Sequence, residues 1–278
     1  MEKKLTFAVI GGDRRSFYAA KRLREYGFSV ELFGLKDEKT YCPSERIDAQ
    51  AILLPIPLTR DGIHLFAPEI SENIFISDVM TSVSDDALIF AGGSTDMTEK
   101  RIIHYAKRED FTLMNAVPTA QGALLLALQN GRRTVFGMRV AVIGYGRVAF
   151  ATARIFHAAG ADVTVFARKA QARTEAHMMG YTAKPITALS ACAGEYELLI
   201  NTVPARILSR DILSGIADNA WIMELASAPF GLDFEEAKRL GVHAMLASGL
   251  PGRFFSETAG YAVADTVLEI LREKRLYF

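Results

Sequence analysis

Val140-Ala141-Val142-Ile143-Gly144-Tyr145-Gly146-Arg147-Val148-Ala149, in the middle of the chain, is the stretch whose reading decides the fold. An apolar run ends in a Gly-x-Gly-x-x-Ala turn. A helical pattern of small residues follows from Ala149 to Ala159, and then a second apolar run, Ala161-Asp162-Val163-Thr164-Val165-Phe166. Strand, turn, helix, strand in that order opens a dinucleotide-binding unit. Gly144 permits the tight turn out of the strand. Gly146, with no Cβ, lets the backbone come close to a pyrophosphate. Ala149 keeps the helix close to the sheet. Phosphate charge then sits on free N–H groups at the helix N-terminus, so Gly144, Gly146, Arg147 and Val148 are the first candidate cofactor contacts.

At 278 residues the chain has room for two domains of ordinary size. Half the residues are hydrophobic and 23% are charged, a soluble globular composition. The formal net charge is zero and there is no long basic run, so neither nucleic acid nor an anionic membrane is expected as a partner. No apolar run reads as long enough to span a bilayer. Met1-Glu2-Lys3-Lys4-Leu5 leads straight into a strand with no room for a signal peptide, and the expectation is a cytoplasmic protein. Cys42 and Cys192 are far apart and fit no metal spacing, so free thiols and no metal site are expected.

The N-terminus reads as a second βαβ unit: strand 5–10, turn Gly11-Gly12-Asp13, helix Arg14 to Tyr26 stopped by Gly27, strand Ser29 to Phe33. It lacks the second glycine of a pyrophosphate turn. Arg15, in the first turn of that helix, has the fork geometry to hold a carboxylate bidentately; a solvated arginine or an interdomain ion pair fits the sequence equally. Residues 49–54 are a third strand. Pro55-Ile56-Pro57-Leu58-Thr59-Arg60 ends the sheet as a stiff loop, either a wall of a substrate cleft or a plain connector. Residues 87–93 are another strand. A helix is expected over Met97 to Lys107, capped by Thr95 or Asp96, then a short strand from Phe111 to Met114, then a helix from about Thr119 to Asn130 that joins the two domains.

In the second half, the strand after the phosphate turn ends at Phe166-Ala167-Arg168-Lys169. An NAD site usually carries a carboxylate here, about twenty residues after the glycines, for the adenosine ribose. None stands between Val163 and Thr174, while Arg168, Lys169 and Arg173 do. Cations without a carboxylate favour a 2′-phosphate, hence NADP; an Arg168 that stacks on adenine or is solvated leaves NAD open. Residues 196–201 form a strand leading to Thr202-Val203-Pro204, expected near the nicotinamide half of the cofactor. Strand 219–225 leads to Ala226-Ser227-Ala228-Pro229. Strand 242–245 leads to Ala247-Ser248-Gly249-Leu250-Pro251-Gly252-Arg253. An amphipathic helix from Thr258 to Tyr277 is expected to pack back on the first domain. The fold class is therefore α/β, with two doubly wound parallel sheets and a cleft between them. The N-terminal substrate domain spans 1–118 with 257–278 returning to it, and the nucleotide domain spans 119–256.

These segments match a known pattern in order and spacing. They are Gly11-Gly12-Asp13 with Arg15; Leu54-Pro55-Ile56-Pro57; Asn115 with Pro118-Thr119-Ala120 and Gly122-Ala123; Gly144 to Ala149; Asn201-Thr202-Val203-Pro204; and Gly249-Leu250-Pro251-Gly252 with Thr258-Ala259-Gly260. Over essentially its full length the chain resembles the A subunits of dipicolinate synthase from spore-forming bacteria. It departs from that pattern at Gln121, where glutamate is expected, and at Pro229-Phe230-Gly231, where Pro-Gly-Gly is expected.

The resemblance implies one component of a cytoplasmic two-subunit enzyme of the sporulating mother cell. Such an enzyme oxidises dihydrodipicolinate to dipicolinate with NADP (NAD remaining open), and its B subunit is flavoprotein-like. More distantly, the architecture is similar to D-2-hydroxyacid and alanine dehydrogenases. For the small dicarboxylate substrate the candidate contacts are Arg15 and Arg253, with Thr119 and Ser248. For the nicotinamide end they are Thr202, Val203 and Ser227. No general base stands out: His157 falls inside the helix after the phosphate turn and reads as structural, and His64, His104 and His243 lack any motif. Two alternatives stay open: a related dehydrogenase of another small carboxylate, and a nucleotide-binding partner of the B subunit that does no chemistry. A homo-oligomer stays open as well.

Overall fold

The computed structural model describes residues 5–93 and 102–276. Along the chain these form β1 (Thr6–Ile10), α1 (Arg14–Glu25), β2 (Ser29–Phe33), β3 (Ala51–Leu53), α2 (Ile76–Ser82), β4 (Leu88–Ala91), β5 (Ile102–His104) and α3 (Glu109–Asn130). Then come β6 (Arg139–Ile143), α4 (Arg147–Ala158), β7 (Asp162–Ala167), α5 (Ala170–Met178), β8 (Thr182–Pro185), α6 (Leu189–Cys192), β9 (Leu198–Asn201), α7 (Arg210–Ser214) and β10 (Trp221–Glu224). The chain closes with α8 (Phe234–Arg239), β11 (His243–Leu246), α9 (Leu250–Phe254) and α10 (Ser256–Glu273). Contacts divide it into two units, Met1–Asn115 with Pro251–Phe278, and Ala116–Leu250. The divisions fall inside α3 and α9.

The first unit is built on a five-stranded parallel sheet in the order β2-β1-β3-β4-β5. Its strands are apolar without alternation, as a sheet covered on both faces requires. Phe7, Val9, Leu53 and Phe90 pack on one face under Ala20 and Leu23 of α1 and Val263, Val267 and Leu271 of α10. Ala8, Ile10, Ile52 and Ile89 pack on the other, under Val79 of α2 and the loop residues Leu58, Leu65 and Ile74. The C-terminal helix thus lies along α1, as the sequence led us to expect. Arg108 pairs with Glu273 at the far end of α10, and Arg22 with Asp265 midway.

The second unit is a six-stranded parallel sheet in the order β11-β10-β9-β6-β7-β8. Chain order runs outward in both directions from the centre, so the reversal falls between β6 and β9. Ligands of doubly wound sheets bind outside the carboxyl ends at this point. Ile143 is in register with Asn201, and Asn201 with Glu224, so three strands end level there.

Five local expectations change. Residues 111–114 are helical: α3 starts at Glu109, where Asp110 and Glu109 favour the first turn. Pro118 lies inside α3 rather than at a helix start. Ile102–His104 is a strand followed by a single 3-10 turn, not the end of a helix; the caps proposed at Thr95 and Asp96 lie outside the described residues. Helix α2 was not foreseen. Finally, α3 has the length and mean hydropathy, 1.4, of a spanning helix, yet Phe111, Ala116, Ala120, Ala123, Leu126 and Ala127 are buried within the molecule, as in the core helix of a globular domain.

The α1–α10 crossing depends on Gly260. A Cβ built there would lie 2.7 Å from Tyr18 Cβ and 3.0 Å from Ala19 N, and closer still to the Arg15 carbonyl. Gly260→Ala gains about 1 kcal/mol of helix propensity but overpacks a backbone-to-backbone contact. We expect a net loss of about 1–2 kcal/mol, measured by urea unfolding; a stabilised variant would show that the helices separate freely.

Candidate functional site

The turn after β6 is fixed by Gly144. Its φ is +101°, and a Cβ there would lie 2.5 Å from Thr202 Oγ1 and 2.9 Å from Val203 Cγ2. Both conformation and crowding exclude any other residue. Thr202 closes the same contact from its side: its hydroxyl donates to the Ile143 carbonyl at 2.8 Å, and its backbone N–H to the same oxygen at 3.0 Å. Gly144, Thr202 and Val203, proposed separately from the sequence, are therefore neighbours.

Gly146 is a different case. It precedes α4 with an ordinary φ of −87°, and a Cβ there would meet nothing within 4 Å. Neither strain nor packing inside the protein calls for a glycine. What it leaves is open space in front of the first N–H groups of α4, where no side chain caps the helix. Uncapped donors and the helix dipole favour an anion there. Arg147, exposed, and Val148, half-buried, begin that helix, and Ala149 is fully buried. The residues present thus fit a dinucleotide pyrophosphate. Beside the turn, the Tyr145 hydroxyl is buried with no hydrogen-bond partner among the described residues, and burial pushes it up to about 12.

At the end of β7 the three cations divide. Arg173 Nη1 donates to the carbonyls of Ala167 at 3.1 Å and Arg168 at 2.8 Å, so it stiffens the strand end. The side chains of Arg168 and Lys169 are exposed and make no hydrogen bond or ion pair among the described residues. At the ends of β9 and β10 lies a group the sequence reading missed. Glu224 is fully buried, and its carboxylate accepts from Asn201 Nδ2 and from the backbone N–H groups of Ala226 and Gly231. Burial pushes its carboxyl above the usual range, against the pull of these hydrogen bonds. The signal was one charge inside the apolar strand Trp221-Ile222-Met223-Glu224. Ser227 is exposed in the turn that follows, and its carbonyl accepts from Phe230 N–H at 3.1 Å. Phe230 has φ +62°, the conformation that favours glycine.

In the first unit, Arg15 is buried and paired within its own turn. Its Nε lies 2.9 Å from Asp13 Oδ1 and its Nη2 2.8 Å from Asp13 Oδ2, and Nη2 also donates to the Ile56 carbonyl. Asp13 caps α1 through the Arg15 N–H at 3.0 Å. The turn after β1, the proline loop and the backbone at Gly252 meet here: a Gly252 Cβ would lie 2.7 Å from Arg15 Nε. The void beside the pair is about 10 Å³, too small for a carboxylate ligand. Only Nη1 makes no hydrogen bond among the described residues. Arg253 is exposed, with its guanidinium 4.7 Å from the Phe254 ring centre. Ser248 is exposed and Thr119 half-buried.

Cavities of about 430 and 530 Å³ lie elsewhere, one at the amino ends of β10 and β11 beside Trp221 and His243, the other beside Tyr41 and Arg46. The first is at the wrong edge of its sheet for a nucleotide. Four of the five histidines have local partners: His64 with Asp61, His104 with the Gly93 carbonyl, His157 with Tyr181 and His243 with Trp221.

Comparison with known proteins agrees with this geometry. Residues 6–116 match the family of N-terminal domains of the dipicolinate synthase A subunit, and residues 134–230 the family described as "Putative NAD(P)-binding". The dipicolinate synthase A subunit of Bacillus subtilis (strain 168) is 31% identical over 97% of this chain and 96% of its own length. The crystal structure of the dipicolinate synthase A subunit from Bacillus halodurans superposes with a TM-score of 0.88, at 29% identity, over 97% of this chain and 99% of that one. A transhydrogenase from Sinorhizobium meliloti shares the fold, with a TM-score of 0.68 at 13% identity, over 96% of this chain and 92% of that one. The two-sheet architecture, the NAD(P)-type turn and a full-length relative point the same way, and the chain belongs to the family of dipicolinate synthase A subunits.

Proposed function

We propose that the chain is the dehydrogenase-type A subunit of a dipicolinate synthase. It carries out NADP-linked oxidation of dihydrodipicolinate to dipicolinate with a flavoprotein-like B subunit, in the cytoplasm of a sporulating cell. The observation that carries the nucleotide half of this reading is Gly146, a glycine that nothing inside the protein requires, placed before an uncapped helix at the reversal point of the sheet. Family membership supports the substrate half.

The substrate loses a hydride and a proton and becomes aromatic. When bound, the nicotinamide supplies the hydride acceptor. The proton leaves from a ring gaining aromaticity, so water suffices to take it, and the protein's work is mainly orientation. In this reading the first N–H groups of α4, with Arg147 and Val148, hold the pyrophosphate, and Arg168 and Lys169 hold the 2′-phosphate. Thr202, Val203 and Ser227 border the nicotinamide end. Arg253 is the candidate holder of a substrate carboxylate, with Thr119 and Ser248 as polar contacts, whereas Arg15 is committed to Asp13 and the Ile56 carbonyl beside a void too small for a carboxylate. Phe230, a ring where the family pattern has glycine, favours a second reading: a related dehydrogenase of another small carboxylate.

Gly146→Ser separates fold from cofactor. Serine is a good helix cap, so thermal stability should hold or rise slightly. Its side chain occupies the open space, so the Kd for NADP should rise at least about tenfold, near 1.4 kcal/mol. Unchanged affinity would remove the pyrophosphate from this turn.

Arg168→Ala combined with Lys169→Ala should weaken NADP at least about tenfold more than NAD, because charge-assisted hydrogen bonds contribute about 1.5–3 kcal/mol each. Titrating both cofactors reads the difference, and equal loss for the two would return the preference to NAD.

The reaction itself is tested by mixing purified A and B subunits with freshly made dihydrodipicolinate. Dipicolinate absorbance and NADPH should rise together and require all components. Product formed with the B subunit alone would leave this chain a non-catalytic partner; NADPH formed only with a different carboxylate would support the second reading.

A further inference from the structure

Two turns at the carboxyl edge of the six-stranded sheet are held by one buried pair. Asn201 and Glu224 are the last residues of β9 and β10 and are opposite each other in register. Both are fully buried. Asn201 holds the turn that follows its own strand: its Nδ2 donates to the Val203 carbonyl at 3.0 Å, and its Oδ1 accepts from Val203 N–H at 3.2 Å. Glu224 holds the next one: Oε1 accepts from Ala226 N–H and Oε2 from Gly231 N–H, each at 2.9 Å. The bond from Asn201 Nδ2 to Glu224 Oε1, 2.7 Å, joins the two. Gly231 is glycine because a Cβ there would lie 2.7 Å from Asn201 Cγ and 3.1 Å from Glu224 Oε2. Its carbonyl in turn accepts from the N–H groups of Ile207 and Leu208, so residues 203–208 join the same assembly.

This arrangement is costly. Among the described residues no lysine, arginine or histidine pairs with Glu224, and a buried carboxylate held only by neutral donors is unfavourable. Three donors converge on it and it donates to nothing. That demand suits a carboxylate and no neutral side chain of its size. A glutamine would set its own N–H₂ against a backbone N–H. The same two turns carry Thr202, Val203 and Ser227, the candidate contacts at the nicotinamide end.

We propose that Glu224 is a positioning residue. Through Asn201 and the backbone of Ala226 and Gly231 it fixes the Thr202–Val203 and Ala226–Gly231 turns as one rigid wall that orients the nicotinamide for hydride transfer. This deepens the proposed function and rests on it.

The test compares the wild type with Glu224→Gln in the two-subunit reaction, with hydrogen exchange as a second readout. In the variant, amides of 226–231 should exchange about tenfold faster, while those of 144–149 do not change. The Kd for NADPH should stay within about threefold, since phosphate contacts carry it. The kcat should fall about thirtyfold or more, as expected when reacting groups lose alignment. Exchange equal to wild type would mean there is no clamp. Faster exchange with kcat retained would mean the clamp serves only the fold. Either result overturns the proposal. Should Glu224→Gln not fold, Gly231→Ala, which keeps the carboxylate but presses on it, must show the same split between kcat and Kd. If the wild type itself fails to turn over, the proposed function falls, and the clamp is judged with NADPH alone. The nucleotide must then protect 202–208 and 226–231 in wild type and lose that protection in the variant; no protection in wild type overturns it.

Discussion

The carboxyl edge of the six-stranded sheet depends on one close approach, between the turn after β6 and the turn after β9. Gly144 has no side chain, so Thr202 and Val203 come into contact with it, and the Thr202 hydroxyl binds the Ile143 carbonyl. This contact closes the sheet beside its reversal point and leaves the N-terminus of α4 facing outward, uncapped. A phosphate bound here, as proposed, would be held by the backbone. The side chains around it mostly hold that backbone still: Thr202 on β6, Arg173 on the end of β7, Glu224 and Asn201 on the turns beyond β9 and β10.

The two units bury polar groups in opposite ways. In the first, Arg15 is neutralised by Asp13 within the same turn, and the pair also ties that turn to the Ile56 carbonyl. Removing Asp13 would leave the buried charge of Arg15 without its partner, which is why such pairs are hard to lose even where they contribute little net stability. In the second, Glu224 has no counter-charge and relies on three N–H donors. Hydrogen bonds that converge on an anion are stronger than neutral ones, but they fix geometry more strictly than a charge pair does.

Much of this was legible in the sequence because it was local. The Gly144–Ala149 turn, the strands around it and the C-terminal helix follow from glycine spacing and apolar runs, which act over a few residues. The failures were also local. Asn115-Ala116-Val117-Pro118 carries strong loop signals, yet tertiary packing of Phe111, Ala116 and Ala120 keeps α3 continuous through it. What the sequence could not show was pairing at a distance. For Arg15 the sequence left a carboxylate ligand, a solvated side chain and an ion pair open; the charge partner, Asp13, is two residues away, and only the Ile56 carbonyl is remote. Glu224 read as an ordinary strand residue because Asn201 is on another strand. Site polarity of this kind is set by register, and register becomes visible only once the strands are paired.

Phe230 shows how a departure from a family pattern can be weighed. A non-glycine residue in the left-handed region costs about 1–2 kcal/mol. The visible compensation is an edge-on contact with Phe234, ring centres 5.8 Å apart, worth about 0.5–1.5 kcal/mol. The two nearly cancel, so folding stability gives no strong reason to prefer phenylalanine over the expected glycine. Yet Phe230 occupies the turn that Glu224 holds most firmly, flanked by the clamped Gly231 and bonded to the Ser227 carbonyl. A ring there is fixed by its backbone at the edge where the proposed nicotinamide end lies. If that turn borders the nicotinamide end as proposed, the ring bears on a ligand more than on the fold.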